Sequence, residues 1–207
     1  MSKLRLFAQE SWLLLVSSFV FGLLIAVTNA ALSGRIELNK SAKLNELTRT
    51  LLPDAETFKP VEAQIEVTLP GGTKETAQVF EALSADKQRV GWSFRACGSG
   101  FADTIELVVA VDGGFQKMMG YSVLASSETP GFGDQIKNDY FRSQFVNAPA
   151  GQLTLAKTGD PAAIDSQIVA ISGATVTSTA VVGIFNAFLV QIKDQMTEKG
   201  LIGHVSQ

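Results

Sequence analysis

The stretch that decides the fold is Ser172-Gly173-Ala174-Thr175-Val176-Thr177-Ser178, which joins a short β-prone run at 167–171 to a long apolar segment at 178–199. Apolar residues recur in that segment at helical spacing and predict a helix packed on a core. Small residues before a helix allow close backbone approach, and the free N–H groups and positive dipole end of the helix suit a phosphate. On the residues alone, the alternative is that these serines and threonines only cap the helix.

The segments upstream of this stretch predict a mainly antiparallel sheet. Alternating or β-prone runs indicate strands at 60–70, 75–81, 89–96, 104–111, 117–126 and 153–157. Pro70-Gly71-Gly72 and Asp112-Gly113-Gly114 are typical hairpin turns, and Cys97-Gly98-Ser99-Gly100 is predicted to end a strand. Residues 134–145 are predicted to form a short helix. The fold class expected from this order is α+β, with helices packed on the sheet.

A second motif, Glu128-Thr129-Pro130-Gly131-Phe132-Gly133, follows one of the predicted strands. Two glycines around an aromatic residue let a flat ligand lie against the backbone. The alternative is an ordinary tight loop with proline in a turn.

The N-terminus carries an apolar run. No charged residue occurs between Glu10 and Arg35, and the stretch 11–32 is long enough to cross a bilayer as one helix. Lys3 and Arg5 precede it, which predicts a cytoplasmic N-terminus by the positive-inside rule. We therefore expect a cytoplasmic segment at 1–10, a transmembrane helix at 11–32, a helical connector at 33–60 with a stop at Pro53, and a globular domain at 61–207. The alternative is a cleaved signal peptide, with a cleavage site near 28–31.

Composition excludes several classes of function. The net charge of −3 gives no support for nucleic-acid binding. One cysteine, Cys97, and one histidine, His204, leave almost no material for a zinc site or a histidine-dependent triad. We predict neither a metal site nor catalytic residues, so any redox chemistry needs a cofactor.

The two motifs together resemble the FMN-binding domain shared by the G subunit of Rnf electron transport complexes and the C subunit of Nqr complexes. The resemblance covers nearly the whole chain, including the N-terminal anchor and the loop at 98–101, and the chain length favours the Rnf relative. It implies that a flavin transferase joins FMN through its phosphate to Thr175, with Thr177 as the nearest rival acceptor. Many relatives carry an aspartate three residues before the first serine of the motif, where this chain has Val169.

The resemblance also assigns surrounding residues. It implies that Gly173 and Ala174 leave room for the phosphate. Three hydroxyl side chains are expected to donate hydrogen bonds to it: Ser172, Thr177 and Ser178. The isoalloxazine ring is expected to contact Glu128, Thr129, Gly131 and Gly133, with Leu124 and Ser126 as weaker candidates.

The function implied by the resemblance is electron relay without a substrate site of the subunit's own. The complex would transfer electrons between ferredoxin and NAD and couple this to ion transport, in a bacterial inner membrane with the FMN domain on the periplasmic face. Its partners would be other membrane subunits of the complex and the flavin transferase. The alternatives are the corresponding Nqr subunit of a Na⁺-translocating NADH:quinone reductase, a regulatory FMN module, and an anchored assembly factor without a cofactor.

Overall fold

The computed structural model describes residues 2–69 and 72–203. Pro70 and Gly71 of the predicted turn, and His204, lie outside the described residues. By contacts, the chain divides into two compact units, 1–42 and 43–207.

The N-terminal unit is helical. Helix α1 (Ser2–Leu51) contains an apolar segment, Ser11–Ile36, that is long enough to cross a membrane, and its apolar side chains are exposed. The helix ends at Leu51, two residues before Pro53, as predicted. Helix α3, described below, is also long and apolar, but half of its apolar window is buried, as in the core helix of a globular domain.

The second unit is built on a five-stranded antiparallel sheet. The strands of the chain are β1 (Thr57–Pro60), β2 (Ile65–Thr68), β3 (Lys74–Ala77), β4 (Val79–Leu83), β5 (Arg89–Ser99), β6 (Thr104–Asp112), β7 (Met118–Ala125), β8 (Thr154–Ala156) and β9 (Gln167–Val169). The order in the main sheet is β1-β4-β5-β6-β7. Strands β2 and β3 form a separate antiparallel hairpin, and β8 and β9 form a short parallel pair.

Two helices complete the domain. Helix α2 (Asp139–Arg142) is flanked by 3-10 turns at Gly133–Lys137 and Ser143–Phe145, and helix α3 spans Thr175–Glu198. The predicted helix at 134–145 is therefore wrong as a single element, because Asn138 is extended, with φ −80° and ψ 145°. The predicted start of the last helix at 178 is also wrong, since α3 begins three residues earlier.

Strand β5 is longer than predicted. The residues expected to end it, Cys97 to Ser99, continue its pairing with β6 as far as Ser99 opposite Thr104. Gly98 belongs to the strand because helix α3 crosses it closely: a Cβ at this position would lie 2.6 Å from Ile184 Cγ1. The predicted strand at 75–81 likewise divides into β3 and β4, which pair in different sheets.

Helix α3 covers one face of the main sheet. Its Phe185 ring lies 5.3 Å from the Tyr121 ring and 4.8 Å from the Phe145 ring, measured between centroids. Trp92 and Phe94 of β5 are buried in the same cluster. Leu52, just after α1, packs on the other face against Ala82 and Ala110. The main sheet is therefore buried on both faces, with α3 on one and Leu52 on the other.

Candidate functional site

Three segments from different parts of the domain meet at the N-terminal end of α3. They are the loop 100–103 after β5, the loop 128–133 after β7, and the turn 171–174 that leads into α3. They enclose a cleft of about 420 Å³, which we call the main cleft. The residues that line it are Phe101, Thr129, Phe132, Gly133, Gly173, Ala174, Thr175, Val176 and Thr177.

Glu128 ties the three segments together. Its Oε1 accepts hydrogen bonds from the backbone N–H groups of Phe101 (2.9 Å) and Ala102 (3.0 Å). Its Oε2 accepts one from the Thr177 hydroxyl at 2.6 Å. The side chain is only 5 % exposed. The carboxylate is therefore directed into the protein, where it braces the walls of the main cleft.

Two glycines make room for this carboxylate. A Cβ at Gly133 would lie 2.7 Å from Glu128 Oε2 and 2.8 Å from Thr177 Oγ1. A Cβ at Gly100 would meet Glu128 Oε1 and would lie 2.6 Å from the carbonyl oxygen of Asp103. Any larger residue at either position would displace the Glu128 carboxylate. Glycine is therefore required by packing rather than by backbone dihedrals.

Helix α3 begins without a side-chain cap. Its N-cap residue is Ala174, with φ −132° and ψ 41°, and the first backbone bond of the helix is from Ser178 N–H to Ala174 O. Within the described part of the chain, the N–H groups of Thr175, Val176 and Thr177 have no acceptor. The alternative in which the serines and threonines only cap the helix is therefore wrong. The helix end keeps free donors and its positive dipole end at the main cleft, an arrangement that suits an anion.

The Ser178 hydroxyl has a different role from a cap. It accepts a hydrogen bond from Ile171 N–H and donates one to Ala174 O, both at 3.0 Å. Between them, Gly173 has φ +78°, a conformation that favours glycine, and Phe132 lies against it. These contacts fix the tight turn that exposes the N–H groups of the first helical residues.

The two threonines that were candidate acceptors differ in their surroundings. Thr177 is 3 % exposed and its hydroxyl is engaged by Glu128. Thr175 is half-buried at the wall of the main cleft, and its hydroxyl has no hydrogen-bond partner among residues 2–69 and 72–203. Ser172 is exposed on the turn. Of the two threonines, Thr175 is the one that combines a free hydroxyl with a position in the cleft.

The structure places two of the four predicted ring-contacting residues in the lining of the main cleft. Thr129 and Gly133 line it. Gly131, with φ +78°, shapes the loop, and its carbonyl accepts a hydrogen bond from the Gln135 side chain. Leu124 is buried, and Ser126 Oγ accepts from Glu128 N–H at 3.4 Å.

Two aromatic residues at the cleft were not among the predicted site residues. Phe101 is 66 % exposed and Phe132 is 54 % exposed, although both are large and apolar, and both line the main cleft. Phe132 could have been found from its position between two glycines. Phe101 lies in the loop 98–101 that the resemblance includes, but only the fold brings that loop to the cleft.

Comparison with known proteins agrees with this geometry. Residues 100–190 match the FMN-binding domain family. The chain is 30% identical over 169 residues to the G subunit of the ion-translocating oxidoreductase complex of Methanosarcina acetivorans, covering 82% of this chain and 85% of that protein. It is 31% identical over 171 residues to the G subunit of the proton-translocating ferredoxin:NAD(+) oxidoreductase complex of Clostridium ljungdahlii, covering 81% and 82%. The chain belongs to the family of Rnf G subunits.

Two Nqr proteins are more distant relatives of this chain. The C subunit of the Na(+)-translocating NADH-quinone reductase of Vibrio campbellii is 30% identical over 100 residues, or 44% of this chain and 38% of that protein. The crystal structure of NqrC from Shewanella oneidensis superposes with a TM-score of 0.54 and 22% identity, covering 72% of each chain. This likeness, with the sheet and helices described above, confirms the α+β fold class. The apolar helix and the membrane complexes of the relatives indicate a membrane anchor.

Cys97 of this Rnf protein is a packing residue held as a thiol. Its Sγ donates a hydrogen bond to Glu75 Oε2 at 2.8 Å. Burial, helped by that carboxylate, raises the pKa of Cys97 to about 12. No group of three metal-ligating side chains occurs among the described residues.

Proposed function

We propose that this protein is the electron-relay subunit of an Rnf-type complex and carries FMN as a phosphoester on Thr175. The observation that carries the proposal is the juxtaposition of a free Thr175 hydroxyl with three backbone N–H groups that lack acceptors among the described residues. A phosphate attached at Thr175 would meet those N–H groups and the helix dipole. Thr177 cannot take this role without breaking its hydrogen bond to Glu128.

The ester requires an activated flavin donor and a transferase. In a flavin dinucleotide, the anhydride bond between the two phosphates would break while the Thr175 oxygen forms a bond to the flavin phosphorus. The nucleotide monophosphate would leave, and the hydroxyl proton would pass to a base of the transferase. The cleft itself offers no base, since none of the residues that line it carries a titratable side chain.

The main cleft fits the rest of the cofactor. Its volume of about 420 Å³ is suited to a small aromatic ligand. Phe101 and Phe132 present exposed rings that would flank the isoalloxazine ring, and Thr129 and Gly133 would contact it from the loop 128–133. Gly173 and Ala174 would leave space beside the phosphate. Ser172 would donate from the exposed side of the turn. Thr177 would contribute its backbone N–H group. The Ser178 hydroxyl would hold the tight turn that exposes the N–H groups of the first helical residues.

Bound FMN supplies the ability to accept and donate one or two electrons. The residues of the chain supply attachment, orientation and partial exclusion of water, and they provide no acid or base at the cleft. This arrangement suits a relay between neighbouring redox centres rather than conversion of a substrate. We propose that the chain has no substrate site of its own and docks to the other membrane subunits of the complex.

The N-terminal sequence supports a proposal for the membrane topology. We propose a cytoplasmic segment at 1–10, a span at 11–32, a connector at 33–60 whose last residues form strand β1 of the main sheet, and an FMN domain at 61–207 on the periplasmic face of a bacterial inner membrane. Lys3 and Arg5 before the span support this orientation. Attachment by an ester would prevent loss of FMN from the exported domain.

The test is the intact mass of the full chain, produced with a flavin transferase, for the wild type, Thr175→Ala and Thr177→Ala. We expect an added mass of FMN less one water in the wild type and in Thr177→Ala, and none in Thr175→Ala. Thr179→Ala is the matched control, because that threonine is exposed one turn further along and its hydroxyl donates to Thr175 O within the helix. A wild-type chain without added mass beside an active transferase would refute the assignment and favour an assembly factor.

A further inference from the structure

A second cavity adjoins the main cleft along helix α3. This groove has a volume of about 440 Å³ and lies between α3 and the end of β5. The helix contributes Thr179, Ala180, Gly183 and Ile184, and the other wall includes Ser99 and Thr104. The sequence motifs do not point to this groove, and the proposed attachment of FMN does not use it.

The groove exists because the helix presents small residues at this place. A Cβ at Gly183 would meet nothing within 4 Å. On the opposite wall, Gly98 is packed tightly against Ile184, so the floor of the groove is fixed. The space is thus bounded by rigid elements and opens at Ala180 and Gly183.

The groove is continuous with the main cleft in the helical register. Val176 lines the cleft, and Ala180 and Gly183 follow it at i+4 and i+7 on the same helix face. The loop after β5 forms the other boundary of both spaces: Phe101 lines the cleft, while Ser99 and Thr104 at its two ends line the groove. Gly183 lies about 12 Å along the helix axis from Thr175, at a rise of about 1.5 Å per residue.

We propose that the groove is a second binding position for the isoalloxazine ring of FMN tethered at Thr175. The inference rests on the proposed function, since it requires the tether. Rotation about the ribityl chain would move the ring past Val176 while the phosphate stays at the helix end. The hydroxyls of Ser99 and Thr104 offer hydrogen bonds to the polar edge of the ring, whereas Thr179 Oγ1, whose proton is donated to Thr175 O, can only accept one. Ala180, Gly183 and Ile184 offer an apolar surface.

The experiment uses the full chain with FMN attached, in detergent, and measures quenching of flavin fluorescence by iodide. We expect two populations in the wild type, one accessible in the main cleft and one protected in the groove. Gly183→Leu fills the groove and should remove the protected population. Gly183→Ala is the control, because a methyl group improves helix propensity but leaves the groove open, and both populations should remain.

A second variant reports contact directly. Thr179→Trp places an indole at the groove, and a ring that binds there should show a new, rapidly decaying fluorescence component. The proposal is overturned if the wild type shows one population and Gly183→Leu leaves it unchanged, or if Thr179→Trp adds no fast component. Intact mass separates the two hypotheses: a chain without FMN contradicts the proposed function, whereas a loaded chain with a single population contradicts only the groove.

Discussion

Replacing Glu128 with alanine should destabilise the domain by about 3–5 kcal/mol, because the hydrogen bonds of its buried carboxylate are lost. The carboxylate accepts three hydrogen bonds, and each bond to a charged group contributes about 1.5–3 kcal/mol. Water can replace part of this at the backbone N–H groups of Phe101 and Ala102, because that loop is exposed. Water cannot replace the bond at the buried Thr177 hydroxyl. The loss of stability is therefore smaller than the sum over the three hydrogen bonds, but it is not abolished.

The assay is urea unfolding of the full chain in detergent, followed by the fluorescence of Trp92, which is buried in the domain core, in a Trp12→Phe background that removes the second tryptophan. Glu128→Gln should cost about 1–2 kcal/mol, since its carbonyl oxygen still accepts from the loop. The charge is lost, and the NH2 group in place of Oε2 must donate to the Thr177 hydroxyl instead of accepting from it. Glu66→Ala is the surface control: its 3.6 Å ion pair with Lys74 is exposed, so the loss should stay below about 1 kcal/mol. An equal loss in the free energy of unfolding for Glu66→Ala and Glu128→Ala would refute the conclusion that Glu128 holds the walls of the main cleft together.

Three further predictions concern single positions. Gly173→Ala should reduce FMN attachment in intact-mass measurements, because φ is +78° and the new Cβ would lie 3.2 Å from Phe132 Cδ1; unchanged attachment would contradict the need for a tight turn. Gly98→Ala should lower the free energy of unfolding by about 1–3 kcal/mol, and Ile184→Ala should partly rescue it, because the clash is with Ile184; additive losses would exclude that clash. The pKa of Cys97 is raised to about 12 in the folded state, so its contribution to stability is complete below pH 9 and is lost as pH rises towards about 12. Cys97→Ala should flatten this part of the stability profile, and a profile identical to the wild type would contradict it.

The hairpins and the last helix could be predicted from local sequence because their signals are local. The Asp112-Gly113-Gly114 turn and the helical spacing of Phe185, Phe188 and Leu189 need no information from distant residues. The strand end predicted at Gly98 was wrong because the role of this glycine depends on a distant residue. A glycine in a strand can end the strand or allow another element to approach it closely. Only the position of α3, which contacts Gly98 through Ile184, 86 residues away, decides between the two.

The site was predictable to the level of the two motifs and not to the level of each side chain. Both motifs could be located because small residues and helix starts have local signatures. The distinction between Thr175 and Thr177 depends on Glu128, 49 positions from Thr177, and is invisible to any local pattern. Glu128 was itself expected to contact the ring, and its hydrogen bonds give it a place within the walls instead.

The long sequence separations bridged by Glu128 have a consequence for biogenesis. One carboxylate joins loop residues 27 and 26 positions upstream to a helix residue 49 positions downstream. No fragment that lacks any of these segments can assemble the cleft. With the attachment at Thr175 that we propose, we expect a new chain to complete its domain before the ordered helix end becomes available to a modifying enzyme. Attached flavin would then mark chains that have already passed through folding.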